Sequence, residues 1–176
     1  MGSLRVWSKR EIRLRLGGLN NVRRHMAFMG ASPYGSEEVR RLFHEQVPEL
    51  VSGIVEIRGI AREAGRCCMI TVSSQDPGVD PVGSCVGPRG VRVKTVLRGL
   101  SGEQIVIIPW SESASELIRS ALSPVVAVVQ SIALDEAGRK ATVRVGRRGG
   151  DRSLVDAGRL RLASRLVGWE LQVVFT

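Results

Sequence analysis

Residues 82–100, VGSCVGPRGVRVKTVLRGL, decide the fold, because the turn GPRG at residues 87–90 separates two apolar segments. Glycine lacks a Cβ, so two glycines at this spacing let the chain turn sharply between two helices. The segment after the turn is basic and contains no acidic residue. Backbone amides beside a helix N-terminus, together with cationic side chains, commonly bind phosphate. The stretch therefore predicts a helix–turn–helix unit whose turn contacts phosphate, with the glycine amides open to it.

Outward from this unit, the apolar periods predict a small sheet. Ser36 precedes two glutamates and a helical apolar period, which suits a helix N-terminus, and Pro48 ends that helix. Beyond Pro48 the period becomes two, as is typical of strands. The predicted elements are a helix at 37–47, strands at 54–62 and 68–72 joined by a turn at 63–66, helices at 82–86 and 91–100, and a strand at 103–108. This order predicts a three-stranded sheet with helices packed on one face.

The second half of the chain repeats this order of elements. Its predicted elements are a helix at 114–122, strands at 125–134 and 141–145 joined by a turn at 135–140, a helix at 159–167 and a strand at 169–175. Such a repeat predicts two copies of one small α/β (α+β) domain. Only the few residues around 109–112 separate the copies, so we expect them to pack rigidly against each other.

The charge distribution favours an anionic partner. The net charge is +9, and residues 1–25 contain seven Lys or Arg residues against one Glu. These residues are interpreted as a basic arm on nucleic acid, a disordered tail or, from the initial MGS and the pair His25-Met26, a vector-encoded leader. No apolar run approaches the ~20 residues of a membrane span, and a secretory signal is not recognisable. We therefore expect no membrane partner and a cytoplasmic location.

The residue types that serve catalysis or metal binding are scattered along the sequence. Cys67 and Cys68 lie in an alternating apolar run and Cys85 stands apart, so the cysteines predict buried, reduced thiols and neither a disulfide framework nor a zinc site. The two histidines, at positions 25 and 44, form no catalytic set with a cysteine or carboxylate. We therefore expect neither an enzyme nor a bound metal or cofactor.

Five short motifs carry a resemblance to a known family. They are DPVG at 80–83, CVGPRG at 85–90, SGE at 101–103, ALSP at 121–124 and GW at 168–169. In this order and spacing they resemble the tandem KH region of the bacterial transcription elongation factor NusA. The resemblance implies two type II KH domains that bind single-stranded RNA. It also implies association with RNA polymerase and elongation-complex proteins, and roles in pausing, termination and antitermination.

The resemblance divides the chain into three parts. Residues 1–35 would be the basic arm, the vector leader or a remnant of the S1 domain that precedes the KH pair in the family. Residues 36–110 would form the first KH domain, called the first module below, and residues 111–176 the second module. The family's N-terminal polymerase-binding domain is not recognisable in this sequence. We therefore expect a fragment of a longer factor or a reduced homologue, and a monomer.

A GxxG turn is the clamp that KH domains close on a nucleic-acid backbone, and residues 87–90 match it. We expect this turn to hold the RNA backbone, the neighbouring cations to neutralise phosphates, and an apolar groove at Val86 to take bases. The predicted RNA-binding residues of the first module are Val86, Gly87, Pro88, Arg89, Gly90, Arg92, Lys94 and Arg98.

The second module departs from the motif. Placing its last helix in register puts VDAG, residues 155–158, where the family has GxxG, so an acid lies at a phosphate position. Its other RNA-binding candidates are the loop cations Arg147 and Arg148 and the helix cations Arg159 and Arg161. The broken turn leaves an alternative open, in which the chain is an interaction scaffold whose second module contacts protein and not RNA.

Overall fold

The computed structural model describes residues 33–123, 129–146 and 157–175, with side chains from residue 35 onward in these ranges. The described residues from Tyr34 onward belong to one compact unit. In the first module the elements are α1 Pro33–Gln46, α2 Pro48–Val51, β1 Val55–Glu63, β2 Cys67–Ser74, α3 Pro81–Val86, a 3-10 turn Pro88–Gly90, α4 Val91–Gly99 and β3 Gln104–Pro109. In the second they are α5 Ala114–Leu122, β4 Val129–Asp135, β5 Lys140–Val145, α6 Ala157–Val167 and β6 Glu170–Phe175.

Two predictions around the first helix differ from this structure. Helix α1 begins at Pro33, so Ser36 lies inside its first turns and does not precede it. Proline is well suited to a first helical position because the N–H it lacks would have no partner there. Pro48 does end α1, but it also begins the short helix α2, which the apolar period did not predict. The first residues of the strand predicted at 125–134 lie outside the described residues.

Each module has a three-stranded mixed sheet, and the most buried of its three strands lies in the centre. In the order β1-β2-β3, β2 pairs antiparallel with β1 and parallel with β3. The order β4-β5-β6 repeats both relations. The register of the first antiparallel pair shifts between Ile57 and Gly59, and the second shifts between Val129 and Ser131. The repeat in the sequence therefore corresponds to two copies of one fold, and the predicted α/β class is confirmed.

Strand β2 is buried on both faces, which explains its continuous apolar sequence. One set of its side chains, including Cys68 and Ile70, packs in a core with Phe43 of α1 and Val96 of α4. The alternate set belongs to a second core that continues into the other module. That core includes Ala61, Cys67, Met69, Ile108, Ile118, Leu122, Val143, Leu162 and Leu171. Thus the helices of the first module cover one face of its sheet, and the second module covers the other.

Helix α6 makes much of this contact between the modules, because it packs on β1 and β2. A Cβ placed on Gly59 of β1 would lie 3.4 Å from Leu166 Cδ1 of α6 and 3.1 Å from Thr71 Oγ1. Leu162 of α6 is fully buried in the shared core. Burial of a leucine side chain contributes about 1.5–3 kcal/mol. The shared apolar core agrees with the rigid packing expected from the short linker.

A buried ionic network joins three elements of the first module. Arg62 of β1 donates from Nε and Nη2 to the two carboxylate oxygens of Glu103, at 2.8 and 2.7 Å. Its Nη1 donates to Glu38 Oε2 and to the Gly35 carbonyl of α1, both at 2.8 Å. The Gly65 amide donates to Glu103 Oε1 at 2.8 Å. Sequence reasoning placed Glu103 only at the start of a strand, whereas it lies just before β3 and ties the sheet to α1.

Other predictions concern thiols, metals and membranes. Cys67, Cys68 and Cys85 are buried and unbridged, as expected. Burial raises the pKa of the Cys68 thiol to about 12 and that of Cys85 to about 11, so both thiols are protonated at neutral pH. Within the described ranges, no group of His, Cys, Asp or Glu residues is arranged to hold a metal ion. No helix in those ranges is long and apolar enough to cross a bilayer.

Candidate nucleic-acid interface

The turn between α3 and α4 has a backbone that only glycine adopts easily. Asp80 caps the start of α3 by accepting a hydrogen bond from the Val82 amide at 3.0 Å. At the other end of α3, Gly87 has φ 73° and ψ 169°, and Gly90 has φ 73° and ψ 20°. Arg89 between them is itself left-handed, with φ 52° and ψ 22°. Three of the four residues of the turn therefore have positive φ, which projects Arg89 outward at its apex.

The amides of the two glycines are not open to phosphate, which corrects the sequence-based prediction. The Gly87 N–H donates to the Gly83 carbonyl at 2.8 Å, and the Gly90 N–H donates to the Gly87 carbonyl at 3.0 Å. Pro88 has no N–H to offer. The two glycines therefore serve the shape of the turn and do not offer their own amides to a phosphate.

The four predicted cations divide into two pairs. Arg92 Nη1 donates to Glu49 Oε2 of α2 and to the Ser84 carbonyl of α3. Lys94 Nζ donates to the Arg89 carbonyl at 3.3 Å. Both side chains therefore bind the protein around the turn. Glu49 was not singled out from the sequence, because its partner lies in a different helix.

Arg89 and Arg98 form the other pair. Both side chains are exposed. Neither has a hydrogen-bond or ion-pair partner among the residues that the structure describes. Arg89 lies at the apex of the turn and Arg98 in the last turn of α4. These two guanidinium groups are therefore available to an anion, whereas Arg92 is paired with Glu49 and Lys94 gives one of its three N–H donors to the protein.

The apolar surface beside the turn is larger than the sequence suggested. Val86 is half-buried and Pro88 is exposed. Val91, the first residue of α4, is 59% exposed although its neighbour Val96 is fully buried. The apolar period of the sequence places Val91 at the start of the helix but does not show whether its side chain is buried or exposed. Val86 and Val91 therefore both add partly exposed apolar side chains beside the turn.

Comparison with known proteins places this geometry in a family. Residues 35–110 match the family described as the NusA-like first KH domain. The chain carries a NusA-like KH domain. It is 42% identical over 134 residues to the transcription termination/antitermination protein NusA of Thermus thermophilus, covering 76% of this chain and 34% of that protein. For the NusA protein of Bacillus subtilis the identity is 39% over 144 residues, covering 77% and 36% respectively. The chain spans about a third of the length of these relatives.

A solved structure extends the comparison of folds. The crystal structure of APE1850 matches with a TM-score of 0.59 and 18% identity, and covers 83% of this chain and 100% of that one. At this identity the match concerns the fold alone. It extends beyond the 35–110 segment, so the second module shares in the likeness. The resemblance to the KH region of NusA predicted from the five motifs is confirmed.

The second module of this NusA-like chain presents its predicted site residues differently. Arg147, Arg148 and the first two residues of VDAG lie outside the described residues. Ala157 and Gly158 are inside α6, and Gly158 is buried. In the first module, by contrast, Gly90 precedes its helix with positive φ. The sequence register aligned Ala157 and Gly158 with Arg89 and Gly90 of the first module. That alignment is therefore wrong for Ala157 and Gly158, because both lie inside the helix.

The two helix cations of the second module also differ from each other. Arg159 donates from Nη2 to the side-chain oxygen of Gln104 in the first module, so it serves the junction between modules. Arg161 is exposed. A crevice of about 390 Å³ lies at this junction, lined by Glu63, Arg66, Gly102, Gln104, Arg159 and Leu162 among others. Of the two, only Arg161 therefore remains an open cation of the kind predicted.

Proposed function

We propose that this chain holds single-stranded RNA through the turn at residues 87–90 of its NusA-like KH domain. The observation that carries the proposal is the position of Arg89. It lies at the apex of a turn shaped by glycines, and its side chain is exposed and has no hydrogen-bond or ion-pair partner among the described residues. Arg98 adds a second available cation on the same helix–turn–helix unit. The apolar side chains of Val86 and Val91 would contact the bases.

The biological role that we propose follows from the relatives. Proteins that are about 40% identical to this chain are named as transcription termination/antitermination proteins. We infer that RNA held by this region modulates pausing, termination or antitermination in the cytoplasm, alongside RNA polymerase. Binding and not catalysis is the proposed activity.

The role of the available cations is tested by titrating a short, unstructured RNA against the chain at several salt concentrations. Arg89→Ala and Arg98→Ala should each weaken binding roughly tenfold at low salt, since each removes a charge-assisted contact. The plot of log K against log salt has a negative slope, and each variant should make it shallower by about 0.7. This is the value for one lost phosphate contact on a single strand. Fluorescence anisotropy measures both quantities.

Arg41→Ala is the matched control for these variants. Arg41 is an exposed arginine of α1 that pairs with Glu45 one helical turn away. Its loss should leave both affinity and slope nearly unchanged. Wild-type affinity in Arg89→Ala and Arg98→Ala at low salt would contradict the proposed function.

Arg159, a predicted RNA-binding cation of the second module, is engaged with Gln104, which weakens the case for RNA binding there. We therefore keep a second candidate function, in which the second module contacts protein while the first binds RNA. Crosslinking to RNA that carries a photoreactive base, followed by peptide mapping, distinguishes the two. Crosslinks confined to the first module would support the scaffold. Equal crosslinking of both modules would exclude it and favour RNA binding along the whole chain.

A further inference from the structure

The guanidinium of Arg92 lies beside the turn, and its Nη1 is already engaged with the protein. Its Nη1 donates to Glu49 Oε2 at 2.8 Å and to the Ser84 carbonyl at 2.7 Å. The side chains of Arg92 and Glu49 are only 24% and 28% exposed. These contacts join α2, α3 and α4, the three helices that meet around the turn.

The methylene groups of Arg92 contribute a second contact. A Cβ placed on Gly87 would lie 2.6 Å from Arg92 Cγ, 2.8 Å from its Cδ and 2.9 Å from its Cβ. The aliphatic part of the side chain therefore lies directly against the backbone at the first residue of the turn. Since the guanidinium is held by Glu49 and Ser84, this part of the side chain is held too.

We propose that Glu49 and Arg92 form a brace that positions the RNA-binding turn, and that neither side chain is itself a phosphate ligand. The proposal rests on the proposed function. If Arg92 turned to a phosphate, it would give up two hydrogen bonds and leave the Glu49 carboxylate unpaired beside a second anion, which is electrostatically unfavourable. The brace makes Glu49 a positioning residue although its charge is opposite to that of the other residues of the site.

The ionisation of Glu49 agrees with this geometry. A hydrogen bond from its own backbone amide, and then the Arg92 guanidinium, lower the pKa of Glu49 below its ordinary value. The carboxylate is therefore charged at neutral pH and pairs with Arg92 under the conditions of an RNA-binding assay.

The variant Glu49→Gln separates the brace from simple electrostatics, because the two predict opposite signs. Removing a negative charge near an RNA site strengthens binding if only charge matters. If the brace positions the turn, Glu49→Gln should instead weaken binding about fivefold, because the hydrogen bond from Arg92 then has a neutral acceptor and holds the turn less firmly. The slope of log K against log salt should stay as in the wild type, since the number of phosphate contacts is unchanged.

Arg92→Lys tests the other partner while keeping the charge. Both contacts come from Nη1 at the far end of the planar guanidinium, and the flexible ammonium of a lysine does not hold that position, so we expect the same loss of affinity with the same salt slope. The double variant Glu49→Gln/Arg92→Lys should be no weaker than either single variant. Glu45→Gln, which removes an exposed carboxylate of α1, is the matched control for charge and should not weaken binding.

A measurement on the unbound protein provides a readout independent of affinity. In Glu49→Gln the amide resonances of Gly87 and Gly90 should shift, while those of β1 and β2 stay in place. Unshifted glycine resonances would overturn the brace. Tighter RNA binding by Glu49→Gln would overturn it as well while leaving the proposed function intact. A wild-type chain that binds no RNA would overturn both proposals.

Discussion

Gly87→Ala is expected to weaken RNA binding between about 10- and 100-fold, because residue 87 has a backbone conformation that is essentially confined to glycine. Its φ of 73° with ψ of 169° would strain any side chain. The new Cβ would also lie less than 3.0 Å from three carbons of Arg92, which cannot move away without breaking its contacts with Glu49 and Ser84. The turn would therefore lose its conformation and its brace together. Anisotropy titration measures the loss, and circular dichroism shows whether the rest of the fold is kept.

Gly90→Asn is the matched control in the same turn. Gly90 has an ordinary left-handed conformation, φ 73° and ψ 20°, which asparagine tolerates. The nearest atom to a Cβ at this position is Lys94 Cε at 3.7 Å, so the space is open. We expect Gly90→Asn to retain binding within about threefold of the wild type. Equal losses in the two variants would show that the backbone conformation at Gly87 is not what the site requires.

Glu103→Gln is expected to lower the free energy of unfolding by about 3 kcal/mol, the scale for breaking a buried ion pair. The Arg62 and Glu103 side chains are 11% and 4% exposed and are joined by two parallel hydrogen bonds. A glutamine leaves the buried guanidinium without its main counter-charge. Glu63→Gln is the control, because the side chains of Glu63 and Arg66 are 37% and 56% exposed. It should lower the free energy of unfolding by less than about 1 kcal/mol. Urea denaturation measures both variants, and equal losses would contradict the role of the network.

The same network predicts how stability depends on pH. The Arg62 guanidinium first, and also the Gly65 amide, hold the pKa of Glu103 below its ordinary value. A carboxyl group whose pKa is lowered by folding stabilises the protein above its unfolded pKa, about 4.3, and this contribution is lost as the pH falls through the folded pKa. The wild type should therefore lose more stability in acid than Glu103→Gln does. If the free energy of unfolding falls equally with pH in the two proteins, this contribution of Glu103 is excluded.

Local predictions succeeded where neighbouring residues decide the structure. The alternation through Cys68, Ile70 and Val72 predicted β2, and the helix at 114–122 has the predicted bounds. The boundary at Ser36 and the short helix after Pro48 were missed, and both depend on how a proline is used. Proline suits a first helical position and also ends a helix, so its position in the sequence alone does not distinguish the two.

The candidate site was predicted as a set of residues but not as an arrangement. Arg89, Arg92, Lys94 and Arg98 are equivalent cations in the sequence, although Arg92 is paired with Glu49, Lys94 makes one bond to a carbonyl, and Arg89 and Arg98 have no partner among the described residues. The difference for Arg92 depends on Glu49, which lies 43 residues away in the chain. Arg159 likewise became a contact between modules through Gln104.

The sequence by itself determined the GxxG turn, the repeated order of elements and the likeness to NusA, because glycine spacing and apolar periods act over a few neighbouring residues. The tertiary structure alone decided which cations of the turn remain available, which carboxylate braces it, and which face of the first sheet the second module covers. These outcomes depend on side chains that are distant in the chain and meet only once the helices and sheets have packed. Pairings of that kind leave no period in the sequence.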